Sequence, residues 1–412
     1  MSGRLVLGLG GTVDYEIRWD AEIVGRLARA YGVRRADLTT TARIDDERAL
    51  VVAIVAFLAS GGGGERFVDD SEIVERFAAR FEKVVTLGGT GVRAGLALDR
   101  LGIPSVQHLV SIDDNVRRLM PAGITWVCSA TADSLDPHLI VQYPVGATIA
   151  LLDGDVISPA PNRLIFANDR PNREMAIAED LAEALADADA FVVSGFNTMQ
   201  DAALLARRLD DVDAAMAALP ADAVVYYEDA GFYDRSFAGI ARDRLLPRID
   251  VYGMNEDELQ EYVGRAVNLL DPRDVAAALD EAHALIPAPA LVVHTRYWSI
   301  AVGPRAHDHA ASLESAVRVS ATRFRLGDVF VPEDLDATAR LPRHDGGRRV
   351  VAAVTAHRPD AIGVPAVVVD TATPTTIGLG DSFVGGFLAP LATARAGARP
   401  ASEASSTVSA NT

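Results

Sequence analysis

The residues best suited to chemistry lie at Gly378-Leu379-Gly380-Asp381, inside the longer segment Thr375-Thr376-Ile377-Gly378-Leu379-Gly380-Asp381-Ser382-Phe383. Glycines let the backbone turn so that successive N–H groups point into one concavity. A helix beginning at the same point adds positive potential, and the two together can hold a phosphoryl group in flight. An aspartate there can accept the proton of an attacking hydroxyl. The same four residues also describe a glycine-rich turn with an aspartate N-cap, so the loop alone leaves both readings open.

Further polar residues stand where apolar runs end. Asn255 and Glu258, three apart in Asn255-Glu256-Asp257-Glu258 at an expected helix start, can face one site and suit Mg²⁺ held through water beside phosphates. An acidic first turn favoured by the helix dipole is the plainer alternative. Glu228 and Asp229 close the run that holds Tyr226 and Tyr227. Asp14 follows the first apolar run and Gly10-Gly11, where it can hold sugar hydroxyls or serve as a turn residue. Gly88-Gly89-Thr90 permits close backbone approach to a ligand, and His294-Thr295 ends another apolar run, where a lone histidine is more often structural. The chain contains no H-E-x-x-H, G-x-S-x-G or G-x-x-x-x-G-K-[ST] motif, which weakens zinc-protease, α/β-hydrolase and P-loop readings. Gly8-Leu9-Gly10-Gly11 lacks the spacing of a dinucleotide fingerprint, since position 13 is Val.

The elements that must position these residues alternate. Strand-like runs at 4–9, 84–87, 190–193, 223–227, 249–252, 290–293 and 366–369 are each followed by polar residues, and helical patterns follow several of them, at 92–101, from about 199, from 256 and from about 381. This order predicts an α/β fold with a doubly wound, mainly parallel sheet and ligands at the strand ends. Residues 70–81 predict a helix capped by Asp70-Ser71, with Ile73, Val74, Phe77, Ala78 and Phe81 on one face. Segments 14–80 and 105–184 carry β-like runs at 125–127, 139–142 and 147–152 and are expected to form a smaller inserted lobe. Segments 1–13, 81–104 and 185–391 are expected to form the large domain, and 392–412, rich in Ala, Ser and Thr, a disordered tail.

The formal net charge of −18 disfavours nucleic acid and anionic membranes as partners, and requires any phosphate site to be made positive locally. Cys128 is the single cysteine, which excludes an internal disulfide and a cysteine-based metal cluster. The longest apolar run, 49–59, falls far short of the roughly 20 residues that span a bilayer. The opening MSGRLVLGLGG lacks a charged n-region before an apolar stretch, so a cytoplasmic protein is expected.

Taken in order, the motifs resemble the ADP-dependent glucokinase and phosphofructokinase family of the ribokinase-like superfamily, from about Leu7 to Leu388. Gly253-Met254-Asn255-Glu256-Asp257-Glu258-Leu259 resembles the N-E-x-E segment of that family. Tyr226-Tyr227-Glu228 stands at its H-x-E motif with Tyr226 in place of His. Asn162-Arg163-Leu164-Ile165, Val193-Ser194-Gly195-Phe196 and Val293-His294-Thr295 match other family segments. The resemblance implies a ribokinase-like fold with a β-rich lid and transfer of the β-phosphoryl of ADP to a hexose hydroxyl. Asp381 would be the base, and the backbone of Gly378 to Gly380 would stabilise the phosphoryl. Glu228 and Glu258 would organise Mg²⁺, while His294, Thr295, Ile377, Leu379 and Asn255 would lie toward the nucleotide. Asp14, Gly88, Gly89, Thr90 and His138 would lie at the sugar; His138 begins His138-Leu139-Ile140-Val141-Gln142-Tyr143, which resembles H-x-I-x-E-Y with Gln142 for Glu. Glu65 stands where glucose-using members carry an acid, which tilts the expected acceptor to glucose over fructose 6-phosphate. An ATP-dependent ribokinase-like kinase and a catalytically silent sugar- or nucleotide-binding relative are the rival readings. A monomer or small homo-oligomer is expected.

Overall fold

The computed structural model describes residues 4–371, 375 and 377–396, with 393–396 described by backbone alone. In chain order the strands are β1 (Leu5–Leu7), β2 (Thr12–Ile17), β3 (Gly64–Phe67), β4 (Lys83–Gly88), β5 (Ser105–Leu109), β6 (Ile124–Cys128), β7 (His138–Tyr143) and β8 (Thr148–Leu151). There follow β9 (Gly154–Ile157), β10 (Asn162–Ala167), β11 (Ala190–Val193), β12 (Val224–Glu228), β13 (Val251–Asn255), β14 (Ala290–His294), β15 (Trp298–Val302) and β16 (Ala361–Pro365).

The larger sheet runs β16-β15-β14-β13-β12-β11-β1-β5-β6 and is parallel from β14 to β6, with β15 and β16 added antiparallel at one edge. Its central strands are dominated by apolar residues, as Ala190-Phe191-Val192-Val193 is, because both faces are covered, with polar residues such as Glu228 and Asn255 at strand ends. The smaller sheet runs β3-β10-β7-β2-β4 and obeys a period of two. On β10, Leu164 and Phe166 are fully buried among the lobe's helices, while Arg163 and Ile165 line a cleft facing the larger sheet. The run 49–59 forms the core of that lobe as the helix Glu47–Ser60, capped by Asp46 and closed by Gly61 in the left-handed region. A helix apolar on every side must be enclosed, and Leu50, Val51, Ile54, Val55 and Leu58 show no exposure.

Strand pairing redraws the expected segmentation. β4, from the expected large-domain segment 81–104, pairs antiparallel with β2 in the smaller sheet. β5 and β6, from the expected lobe segment 105–184, extend the larger sheet beside β1. Apolar runs announce strands, but which sheet receives a strand depends on partners far away in sequence. The expected strand at 366–369 lies instead at Ala361–Pro365, where Pro365, lacking an N–H, ends the strand. The helix Leu379–Ala396 extends past the expected tail boundary at 392, and 397–412 lie outside the described residues.

Of the four passages the chain makes between the two sheets, two run through glycine pairs. β1 leads through Gly10-Gly11 into β2, and β4 leads through Gly88-Gly89 into the helix Thr90–Arg100 and on to β5. Gly89 has φ of +90°, and a Cβ there would stand 3.0 Å from the Gly11 Cα. These crossings therefore pack backbone on backbone, which only glycine permits.

Candidate active site

The smaller sheet supplies one end of the site. Asp14 on β2 faces His138 on β7 in direct register. Asp14 is buried, accepts a hydrogen bond from the Thr12 hydroxyl at 2.7 Å, and accepts another from Arg93 Nη2 at 2.8 Å. A side chain at Gly88 would collide with Asp14 and Thr12, so this glycine makes the room the carboxylate needs. His138 Nε2 lies 2.5 Å from Asp169 Oδ2. Burial drives the imidazole toward neutrality, but the hydrogen bond and charge of Asp169, helped by Asp14 and Glu65, outweigh it and raise its pKa to about 9. His138 is therefore an imidazolium at neutral pH. Asp169 caps the helix Arg170–Glu174 and also accepts from Asn172, whose amide donates to the Gly11 carbonyl at 2.9 Å. Glu65, exposed on β3, accepts from the Tyr233 hydroxyl at 3.3 Å.

The larger sheet brings the glycine loop against this end. Gly378 has φ of +67°, and its carbonyl accepts from the backbone and hydroxyl of Ser382 at 3.0 and 2.9 Å. The Ile377 carbonyl accepts from Arg323. Leu379 is the first residue of the helix that follows, so the loop sits on its N-terminus. Asp14, Glu65, Gly89, Thr90, His138, Ile377, Gly378 and Asp381 all line one cleft of about 230 Å³. Residues almost 370 positions apart in sequence are thus one site.

A second group lies at the C-terminal ends of β12, β13 and β14, outside the lining of that cleft. Glu228 is held on both oxygens: His294 Nε2 lies 2.8 Å from Oε1, and the Tyr226 hydroxyl donates to Oε2 at 3.0 Å. A side chain at Gly253 would overlap both Glu228 and the Tyr226 hydroxyl. The His294 ring stacks on Phe383, with centroids 4.5 Å apart, and its Cε1 faces Gly380. This stack joins the second group to the glycine loop. Burial lowers the His294 pKa, but Glu228 overcomes this, so the net shift is upward. Asn255 caps the helix Glu256–Val263, and its own N–H donates to Glu258 Oε2 at 2.7 Å. Burial, with the charges of Glu228 and Asp229 added, pushes Glu258 up to about 8. Asp229 rises to about 6, mainly through burial, although Tyr252 and Tyr262 both donate to it. The Thr295 hydroxyl is committed to the β14–β15 turn, where it donates to the Trp298 carbonyl at 2.8 Å.

Of these three buried carboxylates only Glu228 meets an imidazole; Asp229 is held by tyrosine hydroxyls and Glu258 by the Asn255 backbone N–H. Hard oxygen donors short of positive charge fit Mg²⁺. Among the described residues no group of three or more His, Cys, Asp or Glu is placed to hold a metal directly, so the fit is to a cation bound largely through water.

Arg93, Asp169, Asn172 and Arg323 were not among the residues expected from sequence. One signal was available for Arg93: it is the one charged residue in the small and apolar run Gly91-Val92-Arg93-Ala94-Gly95-Leu96-Ala97-Leu98, whose positions from Gly91 to Gly95 are all buried in the structure.

Residues 3–389 match the model of the ADP-specific phosphofructokinase/glucokinase conserved region. A probable ADP-dependent glucokinase of Caenorhabditis elegans is 23% identical over 215 residues, a match spanning 49% of this chain and 41% of that protein. A hypothetical ADP-dependent phosphofructokinase of Pyrococcus horikoshii OT3 has a similar structure, with TM-score 0.76 at 19% identity over 96% of this chain and 99% of that one. An ADP-dependent kinase in complex with fructose 6-phosphate and ADPβS gives TM-score 0.67 at 15% identity, covering 94% of each chain. At these identities the two structures speak for the fold. Among the described residues no helix is long and apolar enough to cross a membrane.

Proposed function

The chain belongs to the ADP-specific phosphofructokinase/glucokinase family, and from that premise we propose that it transfers the β-phosphoryl of ADP to a hydroxyl of glucose, releasing AMP. The observation that carries this reading is the convergence of Asp14, His138 and Asp381 with the Gly378 loop on one cleft. Asp14 and the His138–Asp169 pair bind and orient the sugar. Asp381 takes the proton of the attacking hydroxyl as the bond to phosphorus forms. Backbone N–H groups of the loop, at the head of the helix Leu379–Ala396, hold the phosphoryl oxygens. Glu228 and Glu258 would hold Mg²⁺ through its waters, and the ion supplies charge neutralisation at the phosphates when bound. His294 and Tyr226 fix Glu228 for that task.

Glucose is favoured over fructose 6-phosphate by the charge of the cleft. Its lining cations are Arg93, Arg163 and His138. Arg93 is matched by Asp14 and His138 by Asp169. Of these three only Arg163 has no ion pair among the described residues, and the lining carboxylates Asp14, Glu65, Asp169 and Asp381 outnumber the cations. A neutral sugar makes no demand on further cations, and the acid Glu65 stands at its edge.

The test is an assay of the purified chain with Mg²⁺ and glucose, comparing ADP with ATP, alongside Asp381→Ala. Turnover with ADP, lost in the variant while glucose still binds, supports the proposal. Turnover with ATP alone overturns the donor, and an active Asp381→Ala overturns the base.

A further inference from the structure

Arg93 stands at the centre of the cleft with no role in the assignments above beyond its pairing with Asp14. It lies in the helix Thr90–Arg100 and is only 8% exposed. Three carboxylates from two elements surround its guanidinium. Nη2 donates to Asp14 Oδ2 at 2.8 Å and lies 3.9 Å from Glu16 Oε1, while Nε lies 4.0 Å from Asp381 Oδ2. Among the described residues Arg93 is the one ion-pair partner that Asp14 or Asp381 has. Its stem matters as well. A Cβ at Gly378 would stand 2.6 Å from Arg93 Cδ and 3.1 Å from Nη1, so the first glycine of the loop is packed directly on this side chain.

A buried cation is costly unless paired. Burial weakens its hold on the proton, yet Asp14, Asp381 and Glu16 together raise its pKa, so Arg93 is a fixed positive charge. It borders the acceptor-binding carboxylate, the base and the loop that receives the phosphoryl. These groups come from the smaller sheet and from the helix that follows the larger sheet, and among the described residues no backbone hydrogen bond ties them to one another.

We infer that Arg93 is a positioning residue for phosphoryl transfer, clamping Asp14 of the acceptor site to Asp381 and the Gly378 loop so that the sugar hydroxyl, the base and the phosphoryl pocket keep one geometry. The inference rests on the proposed function for its catalytic consequence, but the clamp itself does not depend on which sugar or nucleotide is used. Misplacement by about 1 Å at a reacting centre costs on the order of 100-fold in rate.

The experiment compares the full chain as wild type, Arg93→Lys and Arg93→Met. Amide hydrogen exchange at 378–382 is measured first, because it needs no substrate. The clamp predicts exchange at least about tenfold faster in Arg93→Met than in wild type, with Arg93→Lys between them. Equal exchange in a folded Arg93→Met overturns the inference whatever the enzyme's substrate. Steady-state kinetics with ADP, Mg²⁺ and glucose follow. Arg93→Met is expected to lose about 100-fold in kcat with a smaller change in KM, and Arg93→Lys or added guanidinium to restore part of it. A loss that neither restores, accompanied by lowered thermal stability and unchanged loop exchange, makes Arg93 merely structural and overturns the inference. If the wild type turns over neither sugar with either nucleotide, the proposed function fails, while the exchange result still decides the clamp.

Discussion

The two ends of the site hold comparable numbers of buried acids but treat them differently. At the proposed sugar end each buried carboxylate meets a cation, Asp14 the Arg93 that Glu16 and Asp381 also approach, and Asp169 the imidazole of His138. At the proposed nucleotide end Glu228 meets His294 and Tyr226, Asp229 meets tyrosine hydroxyls and Glu258 a backbone N–H, and Asp229 and Glu258, which have no ion pair among the described residues, are pushed upward in pKa. The cleft lining carries Asp14, Glu65, Asp169 and Asp381 against Arg93, Arg163 and His138, so no cation is in surplus there and a neutral ligand suits it. A pocket deficient in positive charge suits an incoming divalent cation and the phosphates that accompany it. The difference also separates what mutation should do at each end.

The largest effect is expected where the two ends meet. Asp381→Ala should reduce kcat by on the order of 1000-fold or more with glucose affinity retained, measured by turnover and calorimetry. Next, Glu228→Gln should weaken the apparent affinity for Mg²⁺ by on the order of 10–100-fold while leaving glucose binding intact. An unchanged Mg²⁺ dependence would remove Glu228 from the metal role. Gly253→Ala probes the same end sterically. The added methyl collides with Glu228 and the Tyr226 hydroxyl, so it should cost about 1–3 kcal/mol of stability and disturb Mg²⁺ dependence more than glucose KM. At the sugar end, His138→Gln should raise glucose KM by about tenfold with little change in Mg²⁺ dependence.

The smallest effect is one of pH. The folded His138 pKa, about 9, exceeds its unfolded value of about 6.5. Its contribution to stability is therefore fully present below about pH 6.5 and is lost as pH rises through about 9. Thermal melts should show the wild type's advantage over His138→Gln shrinking between pH 7 and pH 10. A gap that stays constant across that range would contradict the imidazolium assignment.

What could be read from the sequence was what the local backbone dictates. The loop at Gly378, the cap at Asn255 and the acid after β12 all announce themselves within a few residues, because turns, caps and strand ends have local chemistry. The helix at 70–81 emerges as Ser71–Ala78 for the same reason, with Asp70 as its cap. What could not be read depends on distant partners. Arg93 meets Asp14 from 79 positions away, and His138 meets Asp169 from 31. Neither pairing leaves a periodicity to detect. The exchange of β4 and β5 between sheets has the same cause. Tyr226, where the resemblance implies His, is a buried ring against Phe387 whose hydroxyl donates to Glu228.

The central claim, that a cleft with no surplus cation accepts a neutral hexose while the buried carboxylates Glu228 and Glu258 serve the metal and donor, is tested most directly by one comparison. It is the ratio of kcat/KM for glucose to that for fructose 6-phosphate, with ADP and saturating Mg²⁺. A ratio of about 100 or more in favour of glucose is the predicted result, and a preference for fructose 6-phosphate would contradict it.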